Sequence, residues 1–63
     1  MNTEKFEGKW LQIQGDIKKT FGRLTDDDLT AIDGHYDKLV GLLEEKYGMA
    51  REEVEKRVDK ILH

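Results

Sequence analysis

The chain has 63 residues, a formal net charge of −3, no Cys and no Pro, and 40% of it is charged. That length allows one small domain, whose single core is expected to supply on the order of 3–5 kcal/mol. The absence of Cys excludes a disulfide staple, a thiolate metal site and a cysteine nucleophile. His35 and His63 are too few and too far apart for a zinc site without carboxylates. The negative balance argues against general nucleic-acid affinity, which needs a basic footprint. The opening residues are charged and no apolar run reaches the ~18–20 residues of a span, so a soluble, cytoplasmic protein is expected.

Residues 4–21 carry a helical stripe: Phe6, Trp10, Ile13, Ile17 and Phe21 recur at steps of four and three. Asn2 or Thr3 can cap its start, Glu4 suits the first turn, and Lys18 and Lys19 suit the last. Gly22 is placed to end this helix in the left-handed conformation. The segment Leu24-Thr25-Asp26-Asp27-Asp28-Leu29 reads as the start of a second, brief helix running to about Ile32. Thr25 is its N-cap, Asp28 closes a shortened capping box, and Leu24 with Leu29 forms a hydrophobic staple. Asp33-Gly34 permits a break, with Asp33 as cap of the next helix; a helix continuing through Gly34 is the alternative.

A third helix is predicted over 35–47, with Tyr36, Leu39, Val40, Leu43 and Tyr47 on one face and Gly48 as its stop. A fourth occupies about 51–62, with Val54, Val58, Ile61 and Leu62 as its stripe and Met49/Val54 as a second staple. Its N-cap position is Ala50, which has no side-chain oxygen to offer the free amides.

The glycines fall in two sets, Gly8, Gly15, Gly22 and Gly34, Gly41, Gly48, separated by 26 residues. The same shift lays Trp10 on Tyr36, Ile13 on Leu39, Ile17 on Leu43 and Phe21 on Tyr47. An internal repeat, about 8–32 and 34–58, is therefore expected within a single domain over 1–63. The predicted fold is all-α: four short helices forming two helical hairpins packed with pseudo-twofold symmetry. Gly15 and Gly41 sit within helices, each at a cost of roughly 1 kcal/mol relative to Ala, yet on sides away from the apolar stripes. Leu11 and Leu42 also lie off the stripes. Together with Lys18 and Lys19, these four positions are the candidate partner-contact residues.

Candidate chemistry is sparse. Asp26-Asp27-Asp28 lacks the spacing of a calcium loop, and the helix macrodipole already accounts for three acids in a first turn. His35 has no nucleophile or paired acid around it, and no phosphate loop, dinucleotide fingerprint or nucleophile elbow is present. No catalytic, cofactor-binding or metal-binding residue is predicted, and the chain reads as a non-enzyme. A hairpin mode of DNA binding would use main-chain amides in the turns Gly22-Arg23-Leu24-Thr25 and Gly48-Met49-Ala50-Arg51. Both turns lack a second glycine and run into acidic residues, which argues against nucleic acid as a partner. The alternative is a module for nucleic acid or an anionic membrane surface through the basic side of the first helix, Lys5, Lys9, Lys18, Lys19 and Arg23. An unidentified protein partner, with the chain itself a monomer or weak homo-oligomer, is the leading expectation.

The run Gly22-Arg23-Leu24-Thr25-Asp26-Asp27-Asp28-Leu29, followed by Ile32-Asp33-Gly34, Asp37-Lys38-Leu39-Val40-Gly41 and Lys46-Tyr47-Gly48, resembles the CsbD-like family of small bacterial stress proteins, in its YjbJ-type branch. Trp10, Gly15 and Phe21-Gly22 fit the N-terminal half of the family pattern, and Arg51-Glu52-Glu53 with Glu55 fits its tail. The likeness covers nearly the whole chain. It implies a cytoplasmic bacterial protein of the general stress response, and a bundle of short helices similar to the paired hairpins of SAM domains. It carries over no catalytic or ligand-binding residue. Ala50 departs from the Ser-like cap expected there.

Overall fold

The computed structural model describes residues 3–62, which form four helices: α1 (Thr3–Thr20), α2 (Asp26–Ile32), α3 (Tyr36–Tyr47) and α4 (Arg51–Leu62). No strand occurs among the described residues. The apolar stripes converge on one core in which Phe6, Ile17, Phe21, Ile32, Leu39, Leu43 and Val54 are fully buried. Leu42, Tyr47, Met49 and Ile61 pack against its margin. Leu42, read from sequence as off-stripe, is thus half-buried and attached to the core.

The packing follows the hairpin arrangement. α1 lies along α4 and α3 along α2, α1 meets α2 and α3 meets α4 as consecutive partners, and α1 also crosses α3. α2 and α4 do not meet. Exchanging the two hairpins maps this set of contacts onto itself, as two hairpins packed in equivalent ways would require. Phe21 and Tyr47, paired by the 26-residue shift, face each other edge-on with ring centroids 6.2 Å apart. Phe6 packs against both members of another such pair, Trp10 at 5.4 Å and Tyr36 at 5.3 Å.

Helix ends show where local chemistry decides and where it does not. Thr25 caps α2 as predicted: its hydroxyl accepts from the Asp28 amide at 3.1 Å and the Asp28 carboxylate accepts from the Thr25 amide at 2.9 Å. Gly48 (φ 68°) closes α3, its amide donating to the Glu44 carbonyl at 2.9 Å. α4 starts from Ala50, whose carbonyl accepts from the Glu53 and Val54 amides at 3.0 and 3.2 Å.

Three assignments change. Gly22 is not left-handed; the chain leaves α1 through a turn in which the Leu24 amide donates to the Phe21 carbonyl at 3.0 Å, both side chains being anchored in the core. Thr3 is already helical rather than a cap, and Asn2 and His63 lie outside the described residues. Asp33 does not cap α3. It closes α2 in the left-handed region (φ 45°), Gly34 follows at φ 81°, and His35 holds the N-cap position of α3 without a capping side-chain bond. The break at Gly34 is therefore real, and the continuous-helix alternative is excluded. Gly34 is also buried against Trp10: a Cβ built there would lie 3.4 Å from the Trp10 Cβ.

Candidate interaction surface

α1 buries Phe6, Trp10, Ile13 and Ile17, so its opposite face looks outward. At ~100° per residue, Glu4, Gly8, Leu11, Gly15 and Lys19 share an arc of roughly 80° centred on that outer face. Leu11 is 83% exposed, the one large hydrophobic residue so placed among the described residues. Nothing lies within 4 Å of where a Cβ would stand at Gly8 or Gly15, so no contact inside the molecule requires glycine there. Gly41 on α3 is equally open, but its helix neighbours Asp37, Lys38, Glu44 and Glu45 make that face charged. Of the six candidate contact residues, Gly15, Leu11, Lys18 and Lys19 lie on the exposed side of α1. Gly41 lies alone on α3, and Leu42 is turned to the core.

The basic residues of α1 and its following turn do not gather into one patch. Lys18 pairs with Asp26 at 2.6 Å. The Arg23 guanidinium lies 5.3 Å over the Tyr47 ring and donates to the Lys46 carbonyl at 2.8 Å. Lys5, Lys9 and Lys19 share an arc of roughly 80°, but Asp16 stands among them and Lys19 lies about 15 Å along the helix from Lys9. Two of the five cations proposed for an anionic surface are thus committed within the fold.

Sequence reasoning missed a junction that ties the two hairpins together. The Arg23 amide donates to the Tyr47 hydroxyl at 2.9 Å, and the Lys46 ammonium donates to the Arg23 carbonyl at 3.3 Å. The Lys46 ammonium also pairs with the Asp28 carboxylate, at the start of α2. The Lys46 hydrogen bond, with that from the Thr25 amide, holds the Asp28 carboxyl below the usual carboxylate range, partly offset by desolvation. A second cation–ring contact places Arg51 5.7 Å over Tyr36, with Asp37 at 3.2 Å and Glu55 at 3.4 Å beside the guanidinium. Burial, reinforced by the negative charge of Glu55, pushes the Tyr36 phenol up to about 12. These partners stand 14 to 24 residues apart in the main, and no local sequence signal could have paired them.

The His35 Nδ1 lies 3.2 and 3.1 Å from the Ile32 and Asp33 carbonyls, so the ring braces the α2–α3 turn. Two open grooves, of about 610 and 470 Å³, are lined by exposed charged residues such as Lys56, Arg57 and Asp59, and by Glu7, His35 and Lys38 respectively. Among the described residues no group of three His, Asp or Glu could hold a metal ion, and no helix is long and apolar enough to cross a membrane.

A small all-α protein, a bundle of four helices, is what the fold defines. The chain belongs to the CsbD-like family, whose sequence profile matches residues 4–56. It is similar to a UPF0337 protein of Pseudomonas aeruginosa, 52% identical over 58 residues that cover 92% of this chain and 89% of the relative. A UPF0337 protein of Pectobacterium atrosepticum is 48% identical over 58 residues, covering 92% of this chain and 84% of the relative. UPF0337 protein YjbJ of Escherichia coli K12 is 45% identical over the same length, with the same coverages. No solved structure matches the chain.

Proposed function

We propose that this protein serves the general stress response of a bacterium as a cytoplasmic, non-enzymatic component, acting through protein contact or through its abundance. What supports the reading is membership of the CsbD-like family over residues 4–56; the outer face of α1, with Leu11 83% exposed and two glycines that no internal contact requires, is where a contact is sought first. The resemblance to small stress proteins, together with membership of the CsbD-like family, supports the physiological setting. The whole chain is read as one domain built from a duplicated hairpin, 8–32 and 34–58. Neither half has the apolar surface to fold alone, so peptides of each half are expected to give coil spectra by circular dichroism.

The test is made in a bacterium that carries the gene. Protein level is followed through osmotic, starvation and stationary-phase stress, and tagged wild type is compared with Leu11→Lys for the proteins recovered from stressed cells. A rise in level, with recovered partners lost in Leu11→Lys, supports the reading. Constant level across stresses, with identical recoveries from both forms, would refute it.

A further inference from the structure

The connection between α2 and α3 is strained and leaves backbone groups unpaired. We propose that it has a second state, a continuous helix, in which two copies of the chain exchange hairpins. The α1–α2 hairpin of each copy then packs on the α3–α4 hairpin of the other. This inference is independent of the proposed cellular role and of the outer face of α1.

Asp33 is the one non-glycine residue with positive φ among the described residues (φ 45°), a conformation that is costly for a side chain. His35 holds the N-cap position of α3 without a capping side-chain bond. Among the described residues, no acceptor meets the amides of Gly34, Tyr36 and Asp37. A helix running through the break would offer them the carbonyls of Thr30, Ile32 and Asp33, four residues back. The sequence permits that helix. Leu29, Ile32, Tyr36, Leu39, Leu43 and Tyr47 follow one another at steps of three and four, without interruption at the break. Asp33, Gly34 and His35 all fall outside this stripe, and at ~100° per residue Gly34 falls opposite it. No Pro stands in the way.

The continuous helix is absent from the folded monomer because it does not fit there. From Asp26 to Tyr47 it would be about 33 Å long, against a longest dimension of 25 Å for the molecule. Straightening therefore parts the hairpins, breaking the Phe6–Tyr36 and Phe21–Tyr47 ring contacts and the core to which they belong. The surface complementary to each hairpin is the other hairpin, so a second copy opened in the same way restores the shared core around a twofold axis. The junction re-forms too, with Lys46 of one copy on Asp28 and Arg23 of the other. Concentration decides between the states. In the monomer the break is kept by Trp10 lying against Gly34 and by the His35 ring on the Ile32 and Asp33 carbonyls.

The test uses two ion pairs. Lys46–Asp28 joins the two hairpins, whereas Lys18–Asp26 lies within one. Isotope-labelled and unlabelled chains are unfolded together in urea and refolded at about 1 mM, where mass action favours association. Material at twice 7.4 kDa is isolated by size exclusion and treated with a zero-length carbodiimide, which joins touching ammonium and carboxylate groups as amides. Hairpin exchange gives Asp28–Lys46 cross-linked peptides with one labelled and one unlabelled half, while Lys18–Asp26 peptides keep a single isotope. The monomer fraction, in which both links form within a chain, calibrates the reaction.

Asp33→Gly relieves the left-handed residue and disfavours the helix, so it should lower the association constant at least about tenfold while the monomer stays folded. Gly34→Ala does the reverse and should raise it by at least as much. Wild type that remains at 7.4 kDa after refolding overturns the proposal, even if Gly34→Ala dimerises. So does a dimer whose Asp28–Lys46 peptides carry a single isotope, which is side-by-side association. An association constant that Asp33→Gly leaves unchanged overturns it as well.

Discussion

Gly41 and Gly34 lie seven residues apart and should respond to the same substitution with opposite signs. Gly41 is within α3, and a Cβ there meets nothing within 4 Å. Alanine gains the difference in helix propensity and restricts the unfolded chain, with no clash to oppose it. Gly41→Ala should therefore stabilise by about 0.8–1 kcal/mol. Near a domain of this size that corresponds to a rise in Tm of roughly 4–8 °C. At Gly34 the backbone is left-handed at φ 81°, where a side chain costs about 1–2 kcal/mol. The added methyl would reach the Trp10 Cβ at an ordinary contact distance of 3.4 Å, so the loss comes from the backbone rather than from a collision. Gly34→Ala should lower the stability by that amount, a large fraction of the on the order of 3–5 kcal/mol available. Urea unfolding followed by Trp10 fluorescence and by far-ultraviolet circular dichroism reads both variants, since Trp10 is the chain's one Trp and is buried. A Gly41→Ala midpoint at or below wild type would mean another surface covers α3 at that point. A neutral Gly34→Ala would mean that the α2–α3 turn relaxes out of the left-handed region.

Three further outcomes follow from the caps, the junction and the core. Ala50→Ser should stabilise by ~0.5–2 kcal/mol by offering an oxygen to the free amides of α4, and an unmoved urea midpoint would contradict Ala50 as the cap. Asp28 has a folded-state pKa below its unfolded value of 3.8, so the stability it contributes is present above that value and falls away as pH drops from about 5. Asp28→Asn should flatten this acid limb in a pH series of urea midpoints; an unchanged limb would assign it to other carboxylates. Leu43→Ala, at a fully buried position, should cost about 2–5 kcal/mol and leave much of the chain unfolded at 25 °C, as a lost cooperative transition in circular dichroism would show.

Periodicity made the core legible, because Phe6, Trp10, Ile13, Ile17 and Phe21 repeat at the pitch of a helix and the structure buries all five. Thr25 with Asp28 and Gly48 were legible because capping is chemistry within four residues of chain. The break at Asp33-Gly34 was visible as a possibility, but its geometry was not: Asp33, read as the cap of α3, is itself left-handed and closes α2, with Gly34 left-handed after it. The Arg23–Lys46–Asp28–Tyr47 junction left no sequence signal for the same reason, since each partner also reads as an ordinary exposed charge or stripe residue. Gly22 misled because an ending glycine is a common stop, whereas here Phe21 and Leu24 fix the turn through burial on both sides of it. At the outer face of α1, Gly15 and Leu11 were marked as off-stripe from the sequence; only the fold could show that nothing within the molecule covers them.

The broadest partner of α1 is α4, the helix farthest from it along the chain. During synthesis, at ~5–20 residues per second, α1 must wait several seconds for that partner to be made. For that interval the Phe6–Trp10–Ile13–Ile17 stripe has only α2 and α3 to shelter it. The hairpin order thus leaves the α1 stripe incompletely covered until residues 51–62 have been made. Ribosome-bound chains stopped before α4 should accordingly be cleaved rapidly within α1, and released full-length chains should resist.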